Sequence, residues 1–246
     1  MSKLRAKNIE PATGTTLTLG ASGDTIAVSS DSVQANTWQD TGGNSLFVSD
    51  GSGTLSSVNS GLAGAGYKLI ESQTVDSAVA SIEFTSGIDS TYDEYAFVMV
   101  NVNPVSYGAF QFQGSTDGGS NYNVTITSTF FMSAQNDGGS GEFTYQTVED
   151  QAQGTAYQYL TEAGGVGASA NQSAGIILQL FSPASTTYVK HFYSTCSRYQ
   201  QIGGTHLAGN DFAAGYFNTT SAINAISFKF SSGNTDGGTI DMYGVS

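Results

Sequence analysis

The chain has 246 residues, enough for one large β domain or for a small module followed by a medium-sized one. Only 11% of the residues are charged, and the net charge is −13, which argues against nucleic-acid binding because neutralising phosphates needs a basic surface. A single cysteine, Cys196, excludes an internal disulfide, and no apolar run is long enough to predict membrane insertion.

The N-terminus is a basic tip on an acidic chain. Three of the seven basic residues, Lys3, Arg5 and Lys7, lie within the first seven positions. This tip could anchor the chain on an acidic neighbouring protein, and a frayed, solvated terminus is the alternative. No apolar segment follows the tip, so we expect synthesis in a cytoplasm without a secretory signal.

Residues 1–66 form a first region of short strands and turns. Alternating polar and apolar residues predict strands at 15–19, 25–28, 35–39 and 45–48, and residues 56–66 have the composition of a linker. The region holds too few large apolar residues to close a core within one chain. We therefore expect it to associate with copies of itself; a small module folded onto the second region is the alternative.

Residues 67–246 contain twelve predicted short strands and no segment with helical periodicity. This spacing predicts an all-β fold, in the form of a β-sandwich or jelly roll. Residues 226–245 read as a β-hairpin whose turn lies at 231–239.

The triplet Asp-Gly-Gly occurs at Asp117, Asp137 and Asp236. Asp-Gly pairs supply the positive backbone angles of tight turns, which is the simpler interpretation. Calcium binding is the alternative, although each triplet offers one carboxylate and none matches the usual calcium loop.

Few residues carry a pattern typical of catalysis. Cys196 and His191 lie on one predicted strand but five residues apart, so their side chains should point to opposite faces. The other histidine, His206, lies in a predicted glycine-rich loop, and these residues lack the spacing of a metal site. Adjacent carboxylates occur at 93–94 and 149–150, where solvated strand ends explain them. We predict no enzymatic activity, no metal site and no cofactor.

Binding is the remaining class of function. Loops rich in Gly, Ser, Asn and Gln are predicted at 133–141, 164–173 and 203–210. Five tyrosines lie near these loops, and they are the candidate receptor-binding residues: Tyr145, Tyr157, Tyr159, Tyr199 and Tyr216. Tyrosine among small polar residues suits adaptable recognition and could stack on sugar rings. The alternative is that these tyrosines belong to the core or rim of the sandwich.

Several segments resemble fibre and appendage proteins of tailed bacteriophages, especially phages of marine bacteria and cyanobacteria. In the first region the segments are 14–26 (GTTLTLGASGDTI), 37–40 (TWQD) and 49–55 (SDGSGTL). The second region is similar to the jelly-roll-like domains of such proteins at 92–95, 114–122, 230–234 and 238–244. The resemblance implies a homotrimer in the virion, with an N-terminal part bound to other virion proteins and a distal domain facing the host.

Together these observations predict a virion fibre or appendage. Residues 1–30 would anchor it, 31–66 would intertwine, and 67–246 would form a head domain that attaches to a host-surface glycan without hydrolysing it. A capsid decoration protein or head fibre that stabilises the particle is the alternative. A polysaccharide depolymerase is a third class, which would need a carboxylate pair in a groove.

Overall fold

The computed structural model describes residues 37–39, 44–49, 51–52, 55–58 and 66–245. The chain divides into two compact units, Met1–Gly64 and Ala65–Ser246. Lys3, Arg5 and Lys7, and the predicted strands at 15–19 and 25–28, lie outside the described residues, so the N-terminal anchor stays a prediction.

All regular structure in the described part of the chain is β-strand, as the period-two pattern predicts. The first unit has β1 (Thr37–Gln39), β2 (Ser45–Ser49) and β3 (Leu55–Val58). The second unit has β4 (Tyr67–Thr74), β5 (Ile82–Phe84), β6 (Glu94–Pro104), β7 (Phe110–Ser115), β8 (Ile126–Asn136), β9 (Gly141–Tyr145), β10 (Ala152–Gly154), β11 (Gln158–Tyr159), β12 (Ala174–Phe181), β13 (Lys190–Ile202), β14 (Thr205–Phe217), β15 (Ala225–Phe230) and β16 (Thr235–Val245).

In the first unit, β1, β2 and β3 form a three-stranded antiparallel sheet. The rings of Trp38 and Phe47 stack with centroids 5.6 Å apart across β1 and β2. Strand β3 overlaps the start of the predicted linker, so the linker prediction is wrong for residues 56–58.

The second unit is an antiparallel sandwich of two unequal sheets. The large sheet has the order β10-β8-β14-β13-β12-β6-β16-β4, and β9 also pairs with β8. The small sheet has the order β11-β7-β15-β5. The all-β sandwich prediction is therefore confirmed, and the described residues form no helix long and apolar enough to cross a bilayer.

Aromatic rings from both sheets form the centre of the core. Phe97 of the large sheet meets Phe84 and Phe228 of the small sheet, with ring centroids 5.4 and 5.3 Å apart. Phe192 meets Phe112 across the same interface at 5.0 Å. All five side chains are buried, and such edge-to-face pairs stabilise beyond their buried area.

The predicted C-terminal hairpin is wrong. β15 pairs with β7 and β5 in the small sheet, whereas β16 pairs with β6 and β4 in the large sheet. Both strands bury apolar residues at alternate positions. The same alternation is expected for two strands in facing sheets and for two strands of one hairpin, so it does not distinguish them. Asp236 lies within β16 beside irregular register at Gly237, and so it is not in a turn.

The predicted loop at 203–210 is largely strand. Gly203 and Gly204, both with positive φ, form a tight turn, and β14 begins directly afterwards at Thr205. His206 therefore lies on a strand, opposite Gln201 of β13. In this half of β14 the positions that point inward include Gly209 and Asp211. Neither is a large apolar residue, so the alternation of apolar and polar residues that predicts a strand is missing here. Likewise, β8 and β9 occupy most of the predicted loop at 133–141.

Candidate functional site

A cleft of about 450 Å³ lies beside the small sheet. Its floor includes Tyr159, Gln111 and Lys229, which are neighbours across β11, β7 and β15. Because Phe110, Phe112 and Phe228 on the same strands point into the core, Gln111 and Lys229 lie on the opposite side of the sheet. The lining residues are Gln111, Val148, Asp150, Gln151, Ala156, Tyr157, Tyr159 and Lys229.

Lys229 is held in place by an aromatic ring. Its Nζ lies 4.0 Å from the centroid of the Tyr157 ring, a cation–π arrangement. The Tyr157 hydroxyl donates a hydrogen bond to Ser227 Oγ at 3.1 Å, and burial raises the pKa of Tyr157, so the phenol keeps its proton. Among the described residues, the ion pairs involve Arg198 alone, which leaves the Lys229 ammonium without a carboxylate partner.

The opposite wall comes from residues 148–151. Asp150 Oδ2 accepts a hydrogen bond from the Tyr145 hydroxyl, whereas Asp150 Oδ1 is buried without a hydrogen-bond partner. The bond to Asp150 raises the pKa of Tyr145. Gln151 Nε2 donates to the carbonyls of Ala156 and Tyr157, at 2.9 and 3.3 Å, and so ties this wall to the start of β11.

The cleft therefore combines aromatic rings with an unpaired cation, a primary amide and the Asp150 carboxylate. A sugar ring has apolar C–H faces that pack on aromatic rings and an edge of hydroxyls that both donate and accept. Sites for small polar ligands commonly join apolar walls to a few fixed polar groups in this way. This arrangement can hold a saccharide, and none of its lining side chains is poised as a nucleophile beside a base.

Two of the five predicted tyrosines line this cleft and a third touches its wall. Tyr157 and Tyr159 line it, and Tyr145 contacts it through Asp150. Tyr159 also packs on its other side against the apolar cluster of Phe130 and Met132, which fits the alternative role as a rim residue.

The remaining two tyrosines lie elsewhere, on the outward side of the large sheet. Tyr199 stacks on His206 with centroids 5.8 Å apart, and its hydroxyl lies 2.5 Å from His206 Nδ1. Tyr216 meets His191 edge-on at 6.2 Å. Lys229 and Gln111 were not among the predicted binding residues, although the alternation along β15 and β7 places both residues opposite the core.

Cys196 and His191 point to opposite faces of β13, as their spacing predicts. The Cys196 thiol is buried, and burial raises its pKa well above the usual range, which opposes thiolate chemistry. His191 is exposed on the other face. The two side chains therefore cannot act as a nucleophile and its base.

The adjacent carboxylates Glu149 and Asp150 also diverge. Glu149 is 2% exposed, and its Oε1 accepts a hydrogen bond from the amide of Ala163 at 2.9 Å. Asp150 alone reaches the cleft. Because a glycosidase needs both carboxylates beside the scissile bond, this pair does not form such a site.

The first Asp-Gly-Gly triplet forms a turn that uses its own carboxylate. Asp117 accepts hydrogen bonds from Ser115 Oγ at 2.7 Å, from the Asn121 amide at 2.9 Å and from Asn121 Nδ2 at 2.7 Å. These bonds lower the pKa of Asp117 to about 2. Within the described ranges no cluster of three His, Cys, Asp or Glu side chains could hold a metal ion.

No family model, curated protein or solved structure matches this chain.

Proposed function

We propose that this chain is a structural protein of a tailed-phage virion and that its sandwich unit attaches to a host-surface glycan without hydrolysing it. The observation that carries the binding proposal is the cleft in which Tyr157, Tyr159, Gln111 and the unpaired Lys229 meet. The virion assignment rests on the resemblance of the turn-and-strand segments to phage appendage proteins.

Each cleft group has a role that its chemistry suits. The Tyr157 and Tyr159 rings would pack against a sugar face, and the Lys229 ammonium would donate to ring or hydroxyl oxygens. Asp150 lines the cleft, and its carboxylate would accept a hydrogen bond from a sugar hydroxyl.

A printed array of bacterial capsules and lipopolysaccharide O-chains tests glycan binding by the full chain. We expect binding to a subset of these polysaccharides, lost in Tyr157→Ala and kept in Tyr188→Ala. Tyr188 is the matched control because it is 70% exposed and does not line the cleft. Binding to none of the polysaccharides, or equal loss in both variants, would contradict the proposal.

The same polysaccharides separate attachment from depolymerisation. Prolonged incubation with the full chain should release no new reducing ends, because the cleft carries Asp150 without a second carboxylate beside it. Release of new reducing ends would show that the chain hydrolyses the polysaccharide and would contradict attachment without hydrolysis.

The virion assignment has its own test. Mass spectrometry of purified particles from a phage that encodes the chain should detect the chain in stoichiometric amounts. Its absence from the particles would remove the virion assignment while leaving glycan binding open.

A further inference from the structure

The outward side of the large sheet carries a row of uncharged side chains, three of which are apolar. Ile177, Thr195, Phe212 and Phe131 are consecutive neighbours across β12, β13, β14 and β8. Phe212 stacks on Phe131 with centroids 4.9 Å apart, and Phe143 of β9 packs on Phe131 at 5.4 Å. We call the outward side of these five strands the apolar face.

Several aromatic and aliphatic side chains of this face are largely exposed to solvent. Phe143 is 72% exposed, Tyr145 55%, Tyr193 41% and Ile177 40%. Single exposed apolar residues are ordinary, but a contiguous group on one side of a sheet is typical of an interaction surface.

The face is also free of formal charge at its centre. The outward positions of β12, β13, β14 and β8 hold no Asp, Glu, Lys or Arg, because Lys190, Arg198 and Asp211 on these strands point inward and are buried. Carboxylates lie at its borders: β9 includes Glu142, Asp150 accepts a hydrogen bond from Tyr145, and Glu94 of β6 accepts one from Gln179 at 2.9 Å.

This charge distribution indicates what covers the face. Each copy of the chain carries a net charge of −13, so two copies repel unless they meet through a surface without carboxylates. The part of the apolar face on β12, β13, β14 and β8 is such a surface.

The size of the face is sufficient for association. Five strands about 4.8 Å apart, each contributing about eight residues at about 3.3 Å, span about 600 Å². With the outward side of β6 added, this approaches the area of about 800 Å² that each partner buries in a standard interface.

We propose that the apolar face packs against a second copy of this chain. The self-association predicted for residues 1–66 would then have a second contact in the sandwich unit. This inference does not depend on glycan binding, because Tyr193 and Ile177, which its test changes, do not line the cleft.

Sedimentation equilibrium of the full chain tests the inference. The wild type should have a multiple of the 25.5 kDa chain mass, and Tyr193→Asp or Ile177→Asp should weaken association at least about 100-fold by placing facing carboxylates at the contact. Tyr188→Asp is the matched control, since it adds the same charge to a 70% exposed residue outside the strands.

A wild type of 25.5 kDa, or an unchanged oligomer in both face variants, would overturn the proposal. Circular dichroism and urea unfolding must show that the variants are folded. If the aspartate variants unfold, Tyr193→Ser, which removes the exposed ring without adding charge, should still lower the average mass while Tyr188→Ser leaves it unchanged.

Discussion

Arg198 is the centre of a buried ionic cluster in the sandwich. Its Nε lies 2.8 Å from Asp211 Oδ2, its Nη2 lies 3.2 Å from Glu162 Oε2, and its Nη1 donates to Gln200 Oε1 at 2.8 Å. These contacts join the loop after β11 to the inward side of the large sheet. Burial raises the pKa of Asp211, which shows how much this carboxylate needs its partner.

We expect Arg198→Met to destabilise the protein by about 3–5 kcal/mol, because it leaves the Asp211 carboxylate buried without a counter-ion. Urea unfolding at neutral pH measures the change. Lys68→Met, which removes an exposed cation that forms no ion pair among the described residues, should change stability by less than about 0.5 kcal/mol. Similar midpoints for the two variants would contradict this role of Arg198.

Asp117 gives the protein a stability that depends on pH. The pKa falls from 3.8 to about 2 in the folded state, chiefly through hydrogen bonds from Asn121 and Ser115. A lowered carboxyl pKa stabilises the fold above pH 3.8, and this contribution is lost as the pH falls through about 2. Asp117→Asn should therefore lower the urea midpoint at pH 7, and the difference from wild type should shrink towards pH 2. A pH-independent difference would rule out this linkage.

Predictions about single residues were correct where the alternation of side chains between the two faces of a strand determines their orientation. The opposite orientations of Cys196 and His191 follow from their spacing and are confirmed. The cleft could not be predicted, because Tyr157 meets Lys229 only through the pairing of β11 with β7 and of β7 with β15. Such distant pairing leaves no signal in a single sequence.

At the scale of the elements, the sequence predicted which segments are strands better than it predicted which strands pair with each other. The alternation at 226–230 and 240–243 marked both C-terminal strands correctly. Turn-forming residues between them predict a reversal of direction, but they do not distinguish a hairpin from a crossing between facing sheets. The sequence also does not predict the bulges of β16 at Gly237 and Gly238, because Asp-Gly-Gly is typical of turns as well.

The loop between β11 and β12 depends on one glycine. Gly165 has a φ of +66°, and a Cβ there would overlap the Gly108 carbonyl in the bridge between Gly108 and Val166. Gly165→Ala should cost at least about 1–3 kcal/mol in urea unfolding. Gly118→Ala is the control, since Gly118 has a φ of +72° with nothing within 4 Å, and so it suffers backbone strain alone. Equal losses would show that the close approach to Gly108 is unimportant.

At the scale of the whole molecule, the two sheets of the sandwich offer different surfaces. The cleft beside the small sheet has a cation, a carboxylate and two tyrosines, which suit a polar ligand. The large sheet presents an uncharged apolar face, which suits a second copy of an acidic chain. In the proposed attachment role, association of copies would multiply weak glycan contacts.

The most direct test of the account is the affinity of the full chain for the polysaccharides that it binds on the array, measured by titration calorimetry. Lys229→Met should bind about 10- to 100-fold more weakly than wild type, since a hydrogen bond to a charged group is worth about 1.5–3 kcal/mol. Lys68→Met, which removes the same charge away from the cleft, should bind like wild type. Equal affinities for all three proteins would contradict a glycan site in the cleft.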